Sequence, residues 1–165
     1  MPFDRIDRQI LDLLQEDGRM TNVDLAERVG LTAPPCLRRV RALEEQGAIR
    51  GYHASLDAAT LGYPITVFAM VSLRSQAEAD LAAFEAHIAQ IPEVRECHML
   101  NGEIDFILKL VATDLKSFQE ILTSRLTTAP NVTSVKTSLT IRTAKALPGI
   151  PVVIGDAPAA PAAAN

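Results

Sequence analysis

Three arginines and two prolines in one short stretch carry the first chemistry this chain offers. In Thr32-Ala33-Pro34-Pro35-Cys36-Leu37-Arg38-Arg39-Val40-Arg41-Ala42-Leu43, Arg38, Arg39 and Arg41 give three positive charges and no negative one. At helical spacing, Cys36, Leu37, Val40 and Leu43 share one side. Arg38 then lies almost opposite that stripe, with Arg39 and Arg41 flanking. Exposed guanidiniums on a short helix suit an anionic partner, and the phosphates and base edges of duplex DNA are the natural one. A solvated amphipathic helix would show the same pattern when taken alone.

What precedes that helix favours DNA. Thr21 or Asn22 can cap a helix over the residues that follow, with Asp24 in its first turn, where the helix dipole favours negative charge. Leu25 and Val29 share a face, Ala26 is small enough for a close crossing, and Gly30 can take the left-handed stop. Helix, glycine turn and helix over 22–41 form a helix-turn-helix pattern. Thr32 stands at the N-cap of the second helix, but the positions whose N–H groups it would bind are Pro34 and Pro35, which have none. Its hydroxyl is left for a phosphate or for water. Thr32, Pro34, Pro35, Arg38, Arg39 and Arg41 are therefore the candidate DNA-contacting residues.

The elements that must position them follow from periodicity. Asp4 caps a helix over about 5–17, with Ile6, Ile10, Leu13 and Leu14 inward. The recognition helix runs from about Ala33 to Gln46, stopped by Gly47. Residues 48–56 read as an extended connector and 57–64 as a turn. Strands are expected at 65–73, 94–100, 104–111 and 132–143, and helices at 77–90 and 115–126, the latter burying Leu115, Phe118, Ile121, Leu122 and Leu126. Asn101-Gly102 marks a tight hairpin between the middle strands, because both residues tolerate positive φ. The order β-α-β-β-α-β is ferredoxin-like, with an antiparallel sheet and both helices on one face. The fold class is α+β: an N-terminal trihelical helix-turn-helix domain with its connector (3–64), a ferredoxin-like domain (65–145), and a Pro/Ala-rich tail (146–165) expected to be poorly ordered, with Val152–Ile154 its docking part.

Composition narrows the function classes. The net charge is −4, and residues 1–50 hold eight Arg against nine Asp and Glu. Such a chain depends on docking geometry more than on bulk attraction to nucleic acid. No apolar run is long enough to span a membrane, and the N-terminus has no secretory pattern, so no membrane partner is expected. Two unclustered cysteines, Cys36 and Cys97, fit a reducing compartment, and the expected location is the cytoplasm. His53, His87 and His98 lack metal spacing, and no nucleophile–base set or phosphate loop is present, so neither a metal, a cofactor nor catalysis is expected. Apolar residues on both sides of the strands (Phe68, Met70 and Val71; Phe106, Leu108 and Leu110 against Ile107 and Val111) exceed what two helices cover and call for self-association, most simply as a two-fold dimer.

The runs DRIDRQILDLLQEDGRMTNVDLAERVGLTAPPCLRRVRALEEQGAIRGYHASLD and VRECHMLNGEIDFILKL together resemble the Lrp/AsnC (feast/famine) regulators over roughly 3–145. The resemblance implies an N-terminal DNA-binding domain, a hinge strand, and a C-terminal domain that dimerises and binds small effectors, usually amino acids between subunits. Dimers of that family often build tetramers or octamers. Gly102 and Asp105 match the glycine and aspartate of its effector hairpin. Two departures stand out: Thr32-Ala33-Pro34-Pro35 replaces the common Ser-Pro-Thr-Pro, and Asn101 replaces Ser or Thr before the glycine. In such a site Asp105 would meet the ammonium of an amino acid and the amides around Asn101-Gly102 its carboxylate. Met99, Leu100, Thr133 and Ser134 would shape the side-chain pocket. A plain turn with a solvated Asp105 is the alternative. The function expected is sequence-specific, amino-acid-responsive transcription regulation; the rival is an architectural DNA-organising protein with little effector control.

Overall fold

The computed structural model describes residues 3–155, and the chain forms two compact units, 3–55 with 145–155, and Leu56–Ala144. The last ten residues of the expected tail, 156–165, lie outside the described residues.

The first unit is built on three helices: α1 (Arg5–Glu16), α2 (Asn22–Arg28) and α3 (Ala33–Glu45). Two of them, α1 and α2, start on a side-chain cap. Asp4 Oδ1 accepts from Asp7 N at 2.8 Å while Asp4 N donates to Asp7 Oδ2, a reciprocal box that satisfies two otherwise orphaned donors. Thr21 Oγ1 accepts from Asp24 N. Gly30 (φ +72) and Gly47 (φ +73) end α2 and α3 in the left-handed conformation, which a β carbon would disfavour. The core beneath is Ile10, Leu25, Ala26, Val29, Cys36 and Leu43. Leu37 stands apart from it: it sits at the edge of the apolar stripe and is exposed, because the neighbours cover a narrower arc of α3 than the spacing predicts. Residues 50–56 form neither helix nor strand, so the implied hinge strand has no ladder partner among the described residues. Tyr52 fastens this connector, donating its hydroxyl to Glu44 Oε1 at 3.0 Å.

Residues 148–155 are not the loose tail expected of them. Gln15 Nε2 donates to Ile150 O and Ile150 N donates to Gln15 Oε1, both at 2.8 Å, so the segment is stitched to α1 through its backbone. Within the expected docking part, Val152 is half-buried and Val153 O accepts from Arg8 Nη1 at 3.4 Å, while the side chains of Val153 and Ile154 are exposed; the Gln15–Ile150 pair adds a second anchor.

The second unit holds β1 (Ile65–Leu73), α4 (Glu78–Ile88), β2 (Val94–Met99), β3 (Phe106–Ala112), α5 (Leu115–Ile121) running into a π-helical turn (Leu122–Leu126), and β4 (Val132–Leu139). The sheet order is β2-β3-β1-β4 with every neighbour antiparallel, as the ferredoxin-like pattern requires. Val67, Ala69, Val71, Phe106, Leu108 and Leu110 face Leu81, Phe84, Ile88, Ile121 and Leu126. Val71 thus belongs to the covered face. Phe68 and Met70 pair with Lys109 and Ile107 on the opposite face, where Phe68 is exposed. Leu115 is exposed rather than buried, since it opens α5 ahead of the packed turns. The last strand stops at Leu139, short of the expected Thr143; one further bond, from Thr140 N to Thr66 O at 2.9 Å, closes its pairing with β1.

The middle hairpin differs most from expectation. Met99 pairs with Phe106, so the six residues Leu100–Asp105 form the connection, and β3 begins later than predicted. Neither Asn101 nor Gly102 has positive φ. The local turn preference is overridden by a tertiary anchor: Leu100 N donates to Asp105 O, and Asp105 N donates to Val71 O.

Candidate nucleic-acid interface and ligand site

The geometry of α3 divides its arginines. Arg38 and Arg41 are exposed and join no ion pair among the described residues. Arg39 Nη1 instead donates to Asp7 Oδ1 at 2.7 Å and Asp4 Oδ2 at 2.8 Å. Those bonds raise the Arg39 pKa further, and the Asp7 backbone N–H first, with Arg39 adding to it, holds the Asp4 carboxyl below its usual value against an opposing cost of burial. Arg39 thus ties α3 to the α1 cap, a structural commitment that removes it from the free cations expected to meet phosphate. Arg39 borders the buried stripe and Asp4 and Asp7 form the cap of α1, but nothing local indicated that they meet.

Thr32 is the N-cap of α3 and makes no side-chain cap bond, as two prolines in the first turn dictate. Thr32 and Pro34 are exposed and Pro35 is half-buried. Asn22, whose part was not foreseen, donates Nδ2 to Ala33 O at 2.8 Å and so fixes the start of α3 against α2. Thr32, Pro34, Arg38 and Arg41 form the accessible set on one helix. Arginine, hydroxyl and helix-start groups of this kind grip phosphates and reach base edges from the major groove.

In the second unit the expected ligand residues converge on one end of the sheet. Leu100 N bonds to Asp105 O just beyond the ends of β2 and β3, Asp105 N bonds to Val71 O of β1, and the next residue of β1, Ser72, pairs with Ser134 of β4. Thr133 sits in the bulge where β4 slips against β1, with Oγ1 donating to Ser72 O at 2.9 Å. Met99, Leu100, Asn101 and Gly102 are exposed. Asp105 is neither the solvated residue of the alternative reading nor a carboxylate without partners. It is 7% exposed; Oδ2 accepts from Leu73 N at 2.7 Å and Oδ1 from Gln76 Nε2 at 2.6 Å. Its charge is spent holding the β2–β3 loop to the β1–α4 loop, so it positions the loop rather than standing free for an ammonium. Leu73 and Gln76 were missed; neither has a local signal. Among the described residues no group of three metal-ligating side chains occurs, and no helix is long and apolar enough to cross a membrane.

A helix-turn-helix unit followed by a separate sheet domain with a polar, loop-built end defines a DNA-binding transcription regulator carrying a ligand-binding domain. Comparison with known proteins agrees. Residues 3–50 match the winged helix-turn-helix DNA-binding model and residues 66–150 the Lrp/AsnC ligand binding domain. The chain is 56% identical over 143 residues to the leucine-responsive regulatory protein of Rhizobium meliloti, covering 87% of this chain and 92% of that one. It is 43% identical over 140 residues to the Bkd operon transcriptional regulator of Pseudomonas aeruginosa, covering 85% and 92%. A transcriptional regulator from Neisseria meningitidis, solved in complex with L-Met, superposes with a TM-score of 0.87 at 35% identity over 91% of this chain and 97% of its own. The chain belongs to the Lrp/AsnC family, whose members matched here are transcription regulators and not enzymes.

Proposed function

We propose that this protein is a sequence-specific transcription regulator that answers to an amino acid, working in the cytoplasm as a dimer or larger homo-oligomer. The observation that carries the DNA reading is the pairing state of α3: Arg39 is locked to Asp4 and Asp7, while Arg38 and Arg41 stand exposed with Thr32 and Pro34 on the same helix. Arg38 reads base edges, Arg41 and Thr32 meet phosphates, and Pro34 and Pro35 shape the helix entry. Two copies related by a two-fold axis would present two such helices to successive major grooves. The open sheet face bearing Phe68, Met70, Ile107 and Val111 supplies the apolar surface for that pairing.

The effector site in this reading is the loop end of the sheet, with Met99, Leu100, Asn101, Gly102, Thr133 and Ser134 around the ligand and Asp105 bracing the loop. The L-Met complex of the Neisseria regulator supports an amino acid as the ligand class. Effector binding alters how subunits associate and therefore the spacing of recognition helices. Fluorescence anisotropy on an operator obtained by selection from random duplexes tests both halves. Arg38→Ala weakens the specific complex by about 1–3 kcal/mol, and one or more amino acids shift wild-type affinity. Unchanged affinity in the variant refutes the assignment of α3. Indifference to all twenty amino acids favours the architectural alternative.

A further inference from the structure

Residues 145–155 belong to the first unit, and the stretch 148–155 is fastened along α1. None of these residues joins the apolar core of that unit. Polar bonds to the backbone hold them instead. The Gln15 carboxamide takes both the N–H and the C=O of Ile150, pairing with it as a neighbouring strand would. Arg8 Nη1 donates to Val153 O at 3.4 Å, and Arg8 Nε donates to Phe3 O at 3.2 Å. Arg8, Leu11 and Gln15 follow the three-and-four spacing that shares one helix face, and all three are half-buried. From Arg8 to Gln15 the helix rises about 10 Å at roughly 1.5 Å per residue. Ile150 to Val153, taken as extended chain, also covers about 10 Å. The spacings match, so the segment runs antiparallel to α1 and makes both attachments at once.

Gly149 shows that this fit is specific. Its φ of +66 favours glycine, and a β carbon there would overlap the Gln15 side chain. The helix that receives the segment is in turn bound to the recognition helix by two routes. Ile10 of α1 shares a core with Cys36 and Leu43 of α3, and Asp4 and Asp7 hold Arg39. Asp7 and Arg8 are neighbours, so the bonds to α3 and the bonds to the segment meet in the same turn of α1.

We infer that residues 148–155 are a strap that sets the placement of α1 and, through it, of α3 on DNA, with Gln15 a positioning residue for operator recognition. The inference rests on the reading of α3 as the recognition helix. Because the core and Arg39 carry the coupling together, neither route alone accounts for the whole effect.

Two full-length variants release the strap from opposite sides: Gln15→Ala removes its bonds, and Gly149→Val blocks its seat. Hydrogen exchange at the Ile150 amide reports the release, and fluorescence anisotropy compares the selected operator with a random duplex. In both variants the Ile150 amide exchanges faster, operator affinity falls roughly threefold, and random-duplex affinity is unchanged. Partial unfolding would instead lower both affinities by one factor, because only the folded chain binds either duplex. The double variant loses no more than either single one, since both break the same linkage. Gly149→Val leaves every side chain of α1 in place, so the test stands if Gln15→Ala fails to fold. The inference is overturned if the Ile150 amide is released with operator preference unchanged, if both affinities fall equally, or if Gln15→Ala leaves that amide protected. A wild type without preference for the operator sinks the α3 reading and the strap together, whereas an unaltered preference in the variants sinks the strap alone.

Discussion

Removing the Asp105 carboxylate separates a bracing role from a ligand-contacting one. In Asp105→Ala the Leu73 N–H loses a 2.7 Å charged acceptor inside the fold, and Gln76 Nε2 loses one at 2.6 Å. A buried amide left without a partner costs about 1–3 kcal/mol, while Gln76 can turn to water at little cost. The backbone bonds from Asp105 N to Val71 O and from Leu100 N to Asp105 O do not depend on the side chain and persist. The expected destabilisation is therefore about 2 kcal/mol, confined to the second unit. Asp105→Asn keeps an oxygen for Leu73 N and should cost under about half as much. Urea unfolding followed by circular dichroism measures the loss, and hydrogen exchange at the Leu73 amide locates it, rising by roughly tenfold or more in the alanine variant. If Asp105→Ala is as stable as wild type and the Leu73 amide stays protected, the brace is not what holds this loop. An amino-acid response lost in a fully stable variant would return Asp105 to direct ligand contact.

Three further outcomes are expected. Arg39→Ala should change operator affinity far less than Arg38→Ala and lower stability by no more than about 1 kcal/mol, since its ion pairs are partly solvated; a loss of DNA binding equal to that of Arg38→Ala would show that Arg39 leaves its carboxylates for phosphate. Phe68→Lys, on the open sheet face, should shift the protein to monomer in sedimentation velocity while preserving its circular dichroism, and an unchanged oligomer would move the interface elsewhere. In a Tyr63→Phe background, Tyr52 should titrate near 12, held up first by burial and then by its bond to Glu44, against an ordinary value of 10.0. The raised value favours the neutral phenol, so its stabilising effect is complete below pH 10 and fades as pH climbs through about 12. A phenolate absorbance midpoint at 10 with the fold intact would mean that Tyr52 is not packed on the helices.

Local signals were enough for much of this molecule. The caps at Asp4 and Thr21, the left-handed stops at Gly30 and Gly47, the proline-blocked cap at Thr32, and the β-α-β-β-α-β order each arise from interactions within a few residues, or from one element's periodicity. Residue type and spacing therefore disclosed the helix-turn-helix, the ferredoxin-like sheet, and the helix that carries the exposed arginines. Side-chain partners across the fold were a different matter. Arg39 meets Asp4 and Asp7 from 35 and 32 positions away, and Asp105 meets Leu73 and Gln76 from 32 and 29. Such pairs form only when packing brings separate elements to hydrogen-bonding distance, and no local preference encodes that approach. The same reason explains the six-residue β2–β3 connection: Asn101-Gly102 favours a tight turn in isolation, but the buried Asp105 anchor holds the chain in a wider one. Sequence determined which residues could do chemistry; the tertiary fold decided which of them were left free to do it.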